Sequence, residues 1–206
     1  QHAAEFLGGD LKSAPPTPRP RHFEQTAHRF GLATANTVEF LTMLNQGDNA
    51  VLSEVKAVDH DYPLIGNMQV FTSDPNQLQA LPYGPDPGKI WLEPRLLNLL
   101  HASLGDSLTL GKKQLKIEYL IHVEPDKINS GFFSPRAMMA EADLANTALI
   151  QTGSRAQYYL LISGSADNCA AFEKAIQPDL QPNQTLINAI KNKSIAQRIV
   201  ENSSIY

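Results

Sequence analysis

The residues of this chain that could do chemistry are its histidines, its cysteine and a few acidic pairs, and their spacing decides what they can do. The histidines are His2, His22, His28, His60, His101 and His122. None pairs with another at i+3 or i+4, so a zinc site on a helix has no support. The best metal candidate is Asp59-His60-Asp61. Neighbours in an extended segment point to opposite faces, so His60 cannot bring both acids to one ion, and the tripeptide reads as a turn or solvated surface. Ser163-Gly164-Ser165 lies between a strand and a helix, the setting of a nucleophile elbow, but the G-x-S-x-G pattern is absent. It reads as a turn in which Ser165 caps the following helix. Gly8-Gly9 lacks the spaced glycines, lysine and hydroxyl of a phosphate loop. Glu141 and Asp143, two apart on an expected helix, do not converge. Lys112-Lys113 is a charge pair in a turn, and the N-x-S/T matches at Asn183, Asn192 and Asn202 matter only in a eukaryotic secretory setting. No catalytic, cofactor-binding or metal-ligating residue is assigned, and no cofactor is expected.

Composition bounds the function from another side. The chain has 206 residues, enough for one domain or a domain with an inserted subdomain. A hydrophobic fraction of 42% and a charged fraction of 18% are ordinary for a globular core. The net charge of −4 argues against nucleic acid or an anionic membrane as a partner, since both require clustered Lys and Arg. The lone Cys169 excludes an internal disulfide, leaves the compartment open, and reads as a small buried hydrophobe. No run approaches the ~18 apolar residues of a membrane span. The opening QHAAEFLGGD has neither the basic start nor the apolar stretch of a signal peptide, and no starting Met, so the chain reads as an excised fragment.

The elements that must position these residues are clearest between Gly88 and Pro125. Ile90–Leu92 is a short strand; Glu93 and Pro94 open a helix whose Leu96, Leu97 and Leu100 share a stripe. Gly105-Asp106 turns the chain, Ser107–Leu110 is a strand, Gly111-Lys112-Lys113 is a tight turn, and Leu115, Ile117, Tyr119, Ile121 and Val123 alternate as a half-buried strand does. A module of that size cannot bury a core alone.

Around it, Ser13–Pro20 is an extended proline-rich connection, and Thr17-Pro18 can start a helix that carries Phe23, Ala27 and Phe30 and stops at Gly31. Thr34–Leu44 and Ala50–Val58 form a hairpin about Gln46–Asn49, and Asn67–Phe71 is a further strand. Ser73–Pro87 is a loop. Arg136–Ala140 fits strand or helix, and Glu141–Ala148 is helical. Tyr158–Ile162 is a continuous apolar strand, Ala166–Ile176 an amphipathic helix and Thr185–Ile190 a strand; Lys193–Ser203 is expected to be a final helix with Ile195, Ala196, Ile199 and Val200 on one face. The economical architecture is an α+β domain built from 1–84 and 130–206 with 85–129 inserted.

As a set, the residues of this chain resemble a known family. They are Gly8-Gly9-Asp10-Leu11, Gly31–Thr34, Val55-Lys56-Ala57-Val58 with Tyr62-Pro63-Leu64, then Gly88, Trp91, Pro94–Leu97, Gly105-Asp106, Leu108 and Leu110-Gly111. After them come Glu124-Pro125-Asp126, Gly131-Phe132-Phe133, Pro135-Arg136, Met138-Met139, Asp143-Leu144 and Gly153-Ser154-Arg155. In this order they resemble the first large periplasmic domain of the FtsX-like ABC transporter permeases, the superfamily of MacB, LolC and LolE, from about Glu5 to Arg155.

The resemblance implies a porter-like α/β subdomain in two parts, 1–84 and 130–206, with a small sabre-like β subdomain, 85–129, inserted. It implies a bacterial inner-membrane protein with this domain in the periplasm, membrane helices on either side of it, and a separate ATPase subunit as partner. The domain itself would be non-catalytic and would couple ATP hydrolysis to movement of lipophilic or envelope cargo, with a periplasmic protein as a further partner. Where the family carries a small residue at the end of the leucine-rich helix, this chain has His101, with Ala102-Ser103 following. Two other readings stay open: a free-standing periplasmic binding protein or hydrolase, and a drug or toxin exporter working with an outer-membrane channel.

Overall fold

The computed structural model describes residues 2–6, 21–127, 134–150, 155–180, 184–191 and 194–202. In chain order its elements are β1 (His2–Phe6), α1 (Arg21–Arg29), β2 (Ala33–Gln46), β3 (Asn49–Val58), β4 (Met68–Phe71), β5 (Gln79–Leu81) and β6 (Lys89–Leu92). There follow α2 (Pro94–Leu100), β7 (Ser107–Leu110), β8 (Lys113–Val123), β9 (Arg136–Ala140), a 3-10 turn (Glu141–Asp143) and α3 (Leu144–Thr147). Last come β10 (Gln157–Gly164), α4 (Ala166–Ile176), β11 (Gln184–Lys191) and β12 (Ser194–Asn202). The content is mixed and dominated by sheet. The expected lead-in through Gly8-Gly9, the proline-rich connection and Gly131–Phe133 lie outside the described residues.

The chain divides into two compact units, Gln1–Val38 with Gln151–Tyr206, and Glu39–Ile150. In the first, β10 is antiparallel to β12 from Gln157↔Asn202 to Leu161↔Arg198, and to the start of β2 at Ile162↔Thr34. Tyr158 to Ile162 are all buried, as the continuous apolar run required. Helices α1 and α4 supply Phe23, Ala27, Cys169, Phe172 and Ile176 to a core shared with Leu160 and Ile162.

Residues 194–202 correct one expectation: they form the strand β12, not a helix. Apolar residues at 195, 196, 199 and 200 satisfy a helical stripe. Ile195, Ile199 and Val200 are, however, β-branched and stiff at χ1, which lowers helix propensity and suits a pleat. The non-local partner decides: β11 pairs along its whole length with β12, from Gln184↔Glu201 to Lys191↔Ser194.

In the second unit the strand order is β2-β3-β9-β6-β8-β4-β5. Strand β3 runs parallel to β9 from Glu54↔Arg136 to Val58↔Ala140. Strand β9 is antiparallel to β6 (Ile90↔Met139, Leu92↔Ala137), and β6 is parallel to β8 with α2 in the crossover. All five residues of β9 are buried. A strand covered on both faces has no polar–apolar alternation to read, which is why Arg136–Ala140 fitted strand and helix equally.

Two details depart from the expected pattern. The loop Ser73–Pro87 contains the short strand β5, paired to β4. Along β8 the alternation breaks: Leu115 and Ile117 are buried, then Leu120 and Ile121, while Val123 is 41% exposed. The pairing shifts by one between Ile90/Trp91 and again between Gln69/Val70. A bulge inserts one unpaired residue and so moves later side chains to the other face.

Candidate functional site

The parallel register of β3 and β9 sets Glu54 beside Arg136, and strand alternation carries Lys56 onto the same face. The segment leaving β8 brings Glu124 and Asp126 against them, and the turn after β3 brings Tyr62. Lys56 Nζ donates to Glu124 Oε2 at 3.0 Å and to Asp126 Oδ2 at 2.6 Å. Arg136 Nε donates to Glu124 Oε1 at 3.0 Å and Nη2 to Glu39 Oε1 at 2.5 Å, while Nη1 lies 3.3 Å from Glu54 Oε1. The Tyr62 hydroxyl donates to Asp126 Oδ1 at 2.5 Å, and its ring lies 4.9 Å from Lys56 Nζ. Two cations thus hold four carboxylates, and Glu124 joins both.

The cluster is dry: the side chains of Lys56 and Glu124 are each 2% exposed, that of Arg136 5%. The backbone around it is fixed too. Glu54 N–H and Ser53 Oγ both donate to Pro135 O, and Arg136 N–H donates to Glu93 Oε1.

Burial and charge oppose each other at every member. Burial alone would lower the Lys56 ammonium, but Asp126 and Glu124 more than offset it and the group sits above its ordinary value. Burial raises Tyr62 well above the usual phenol range, and Asp126 adds to the effect. Glu124 would be raised by burial, yet Lys56 and Arg136 hold it below the usual carboxylate range. Glu54 is raised, chiefly by burial, which Arg136 only partly offsets. Arg136 is raised by Glu124, Glu39 and Glu54 against its burial.

The Lys56 ammonium is held charged and the Tyr62 phenol neutral, the states in which each donates to a carboxylate. The cluster is a clamp: it ties β2, β3 and β9 to the segment after β8 through charge-assisted hydrogen bonds.

The residues singled out by chemistry stand apart from it. The His60 side chain is 92% exposed, 3.5 Å from Asp61, and the Asp61 N–H donates to Asp59 Oδ1. No group of three potential metal ligands occurs among the described residues. Ser165 Oγ accepts from Asn168 N–H at 3.2 Å, the expected helix cap. Cys169 is buried, and burial pushes its thiol up. Asp143 is buried and accepts from Gly88 N–H at 2.6 Å, away from any partnership with Glu141. His28 meets Thr34 Oγ1 at 2.9 Å, and His122 lies edge-on to Phe71. Asn183 and Asn192 lie outside the described residues. The clamp was missed as a site, although a charged residue inside the apolar run Val55–Val58 and an arginine opening Arg136–Ala140 were its signals. Lys56, Tyr62, Glu124, Asp126 and Arg136 all belong to the motif string that carries the family resemblance.

No protein-family model matches the chain. The chain is 32% identical over 207 aligned residues to a protein of Escherichia coli (strain K12) named "Uncharacterized ABC transporter permease YbbP"; the match covers 98% of this chain and 24% of that protein. The chain therefore spans about a quarter of the length of this curated relative. The fold is similar to the extracellular domain of the noncanonic ABC-type transporter YknZ from Gram-positive bacteria. The TM-score there is 0.54 at 9% identity, with 83% of this chain and 88% of that one covered. Along almost its whole length the chain is a relative of one segment of an ABC transporter permease, and its fold is similar to the extracellular domain of an ABC-type transporter.

Proposed function

We propose that the chain is the periplasmic domain of a bacterial inner-membrane ABC transporter permease and passes ATP-driven motion to lipophilic or envelope cargo such as a lipoprotein, a lipid or a hydrophobic compound. The observation that carries this reading is the 32% identity to a permease over 98% of the chain. In it, ATP is hydrolysed on a separate ATPase subunit, and the domain works without a catalytic residue. In this reading the porter-like subdomain comprises 1–84 and 130–206, and 85–129 is the sabre-like insert. The charged clamp supports the reading in physical terms. A domain that transmits displacement needs strands that move as one body, and buried charged hydrogen bonds resist slippage that an apolar contact would permit.

The test is made on the intact permease reconstituted with its ATPase. Replacing the clamp pair Lys56 and Glu124 by Met and Gln should leave ATP hydrolysis within twofold and cut cargo movement at least tenfold. Full transport by a folded Lys56→Met, Glu124→Gln variant would remove the clamp from the mechanism. A coding sequence that lacks an apolar segment of ~20 residues on either side of this chain would remove the permease reading itself.

A further inference from the structure

The clamp holds more negative charge than positive. Lys56 and Arg136 face Glu39, Glu54, Glu124 and Asp126, two cations against four carboxylates. At its rim Lys127 and Glu93 form a pair of their own, 3.3 Å apart, and leave the surplus as it is. Little water reaches the surplus: the side chains of Glu39 and Glu54 are each 10% exposed. Like charges crowded in such a place raise each other's proton affinity, and the least well held carboxylate takes the proton first.

Geometry singles out Glu54. Glu124 accepts from both cations, Asp126 from Lys56 and the Tyr62 hydroxyl, and Glu39 from Arg136 Nη2. Arg136 Nη1 lies 3.3 Å from Glu54 Oε1, yet that nitrogen has no hydrogen-bond partner among the described residues. Glu54 is therefore a buried carboxylate to which the guanidinium offers charge but no hydrogen bond. The charged groups around it come from three elements: Glu39 on β2, Arg136 on β9, and Glu124 and Lys127 after β8. Lys56 stands two residues further along its own strand, on the same face. Burial, with Glu39 and Glu124, raises the proton affinity of Glu54; Arg136 and Lys127 lower it without cancelling the rise.

We propose that the clamp is a proton-sensitive latch: Glu54 takes up a proton as the surroundings turn mildly acid, and the uptake tightens the hold of β3 on β9 and on the segment after β8. A neutral Glu54 no longer repels Glu39 and Glu124, so Arg136 is left to those two carboxylates, with which it is already hydrogen-bonded. When the clamp opens, Glu54 meets water and returns to an ordinary value, so protons favour the closed form. The gain is complete below the ordinary glutamate value and is lost as pH rises through the higher value of the closed clamp. The latch is a property of the fold and does not depend on the permease reading.

The experiment uses the whole 206-residue chain, with its glutamates labelled at the carboxyl carbon for NMR. The Glu54 resonance, identified by its loss in Glu54→Gln, should titrate above the ordinary glutamate value. Hydrogen-exchange protection of the β9 amides should be higher at about pH 5 than at about pH 7, by about twofold or more. Glu54→Gln, the neutral isostere of the protonated acid, should hold those amides at the acid level at both pH values. Asp48→Asn removes an exposed carboxylate outside the clamp and should keep the parent's dependence. The proposal is overturned if Glu54 titrates at or below the ordinary value, if parent protection is alike at the two pH values, or if Glu54→Gln keeps the parent's dependence. A Glu54→Gln chain that failed to fold would overturn it too, since the neutral form is the tighter one. None of these results would alter the relation to permeases, which stands on sequence.

Discussion

Removing the Lys56 ammonium would leave Glu124 and Asp126 facing the space it fills, with a dry wall behind them. Breaking a buried ion pair from one side costs about 3–5 kcal/mol, because the remaining charge is uncompensated. Lys56→Met should therefore lower the unfolding free energy by that order, read from the urea midpoint at neutral pH. Adding Glu124→Gln to it should deepen the loss, since Glu124 still holds Arg136 and that buried cation then loses a carboxylate. The exposed pair Lys127–Glu93, 3.3 Å apart with the lysine side chain 52% exposed, gives the contrast. Such pairs contribute about 0–1 kcal/mol, so Lys127→Ala should move the midpoint hardly at all. Equal effects at Lys56 and Lys127 would mean that the clamp is not dry.

At the scale of elements, α2 shows how a helix ends against propensity. His101 sits at φ 53°, ψ 39°, the left-handed position where glycine is usual. The Ala102 N–H bonds Leu97 O and the His101 N–H bonds Asn98 O, the two hydrogen bonds of a Schellman stop. So the helix stops on His101 itself, ahead of Ala102-Ser103. His101→Gly should stabilise the chain by up to about 1 kcal/mol, because a left-handed non-glycine residue carries a steric cost of that order. Gly111 is the opposite case. At φ 57° a Cβ there would lie 2.1 Å from Thr147 O. Gly111→Ala should cost about 3 kcal/mol or more, from backbone strain and overpacking together, seen as a drop in melting temperature. The same scale explains what was legible in the sequence. Helices α2 and α4 and the hairpin β2–β3 carry their own signals of cap, turn and period. Strand β12 does not, because its identity depends on β11, and the clamp does not, because Glu39, Lys56, Glu124 and Arg136 meet only after β3 and β9 pair in register. A cluster made by long-range pairing cannot be read from spacing along the chain.

At the scale of the whole molecule, stability should depend on pH unevenly, with the steep side in alkali. Lys56 and Tyr62 both have folded-state values above their ordinary ones. For such a group the stabilisation is complete below its unfolded value, and it is lost as pH rises from there through the folded value. The unfolded values are about 10.4 for lysine and about 10 for tyrosine, so both contributions fade together above about pH 10. On the acid side the carboxylates disagree. Glu124, held low, stabilises above its unfolded value and loses that contribution as pH falls through its folded value. Glu54, held high, works the other way, gaining stability as it takes up a proton. The two act in adjoining windows: Glu54 adds stability as pH falls toward about 4.5, and Glu124 withdraws it below that. Unfolding midpoints measured from pH 6 to 11 at fixed ionic strength should therefore stay nearly level to about pH 9 and then drop. Tyr62→Phe removes one of the two alkaline titrations and should make that drop shallower, whatever it does to the plateau. An alkaline limb as steep in Tyr62→Phe as in the parent would show that the phenol titrates alike in the folded and unfolded chain, and that Asp126 holds it no differently from water.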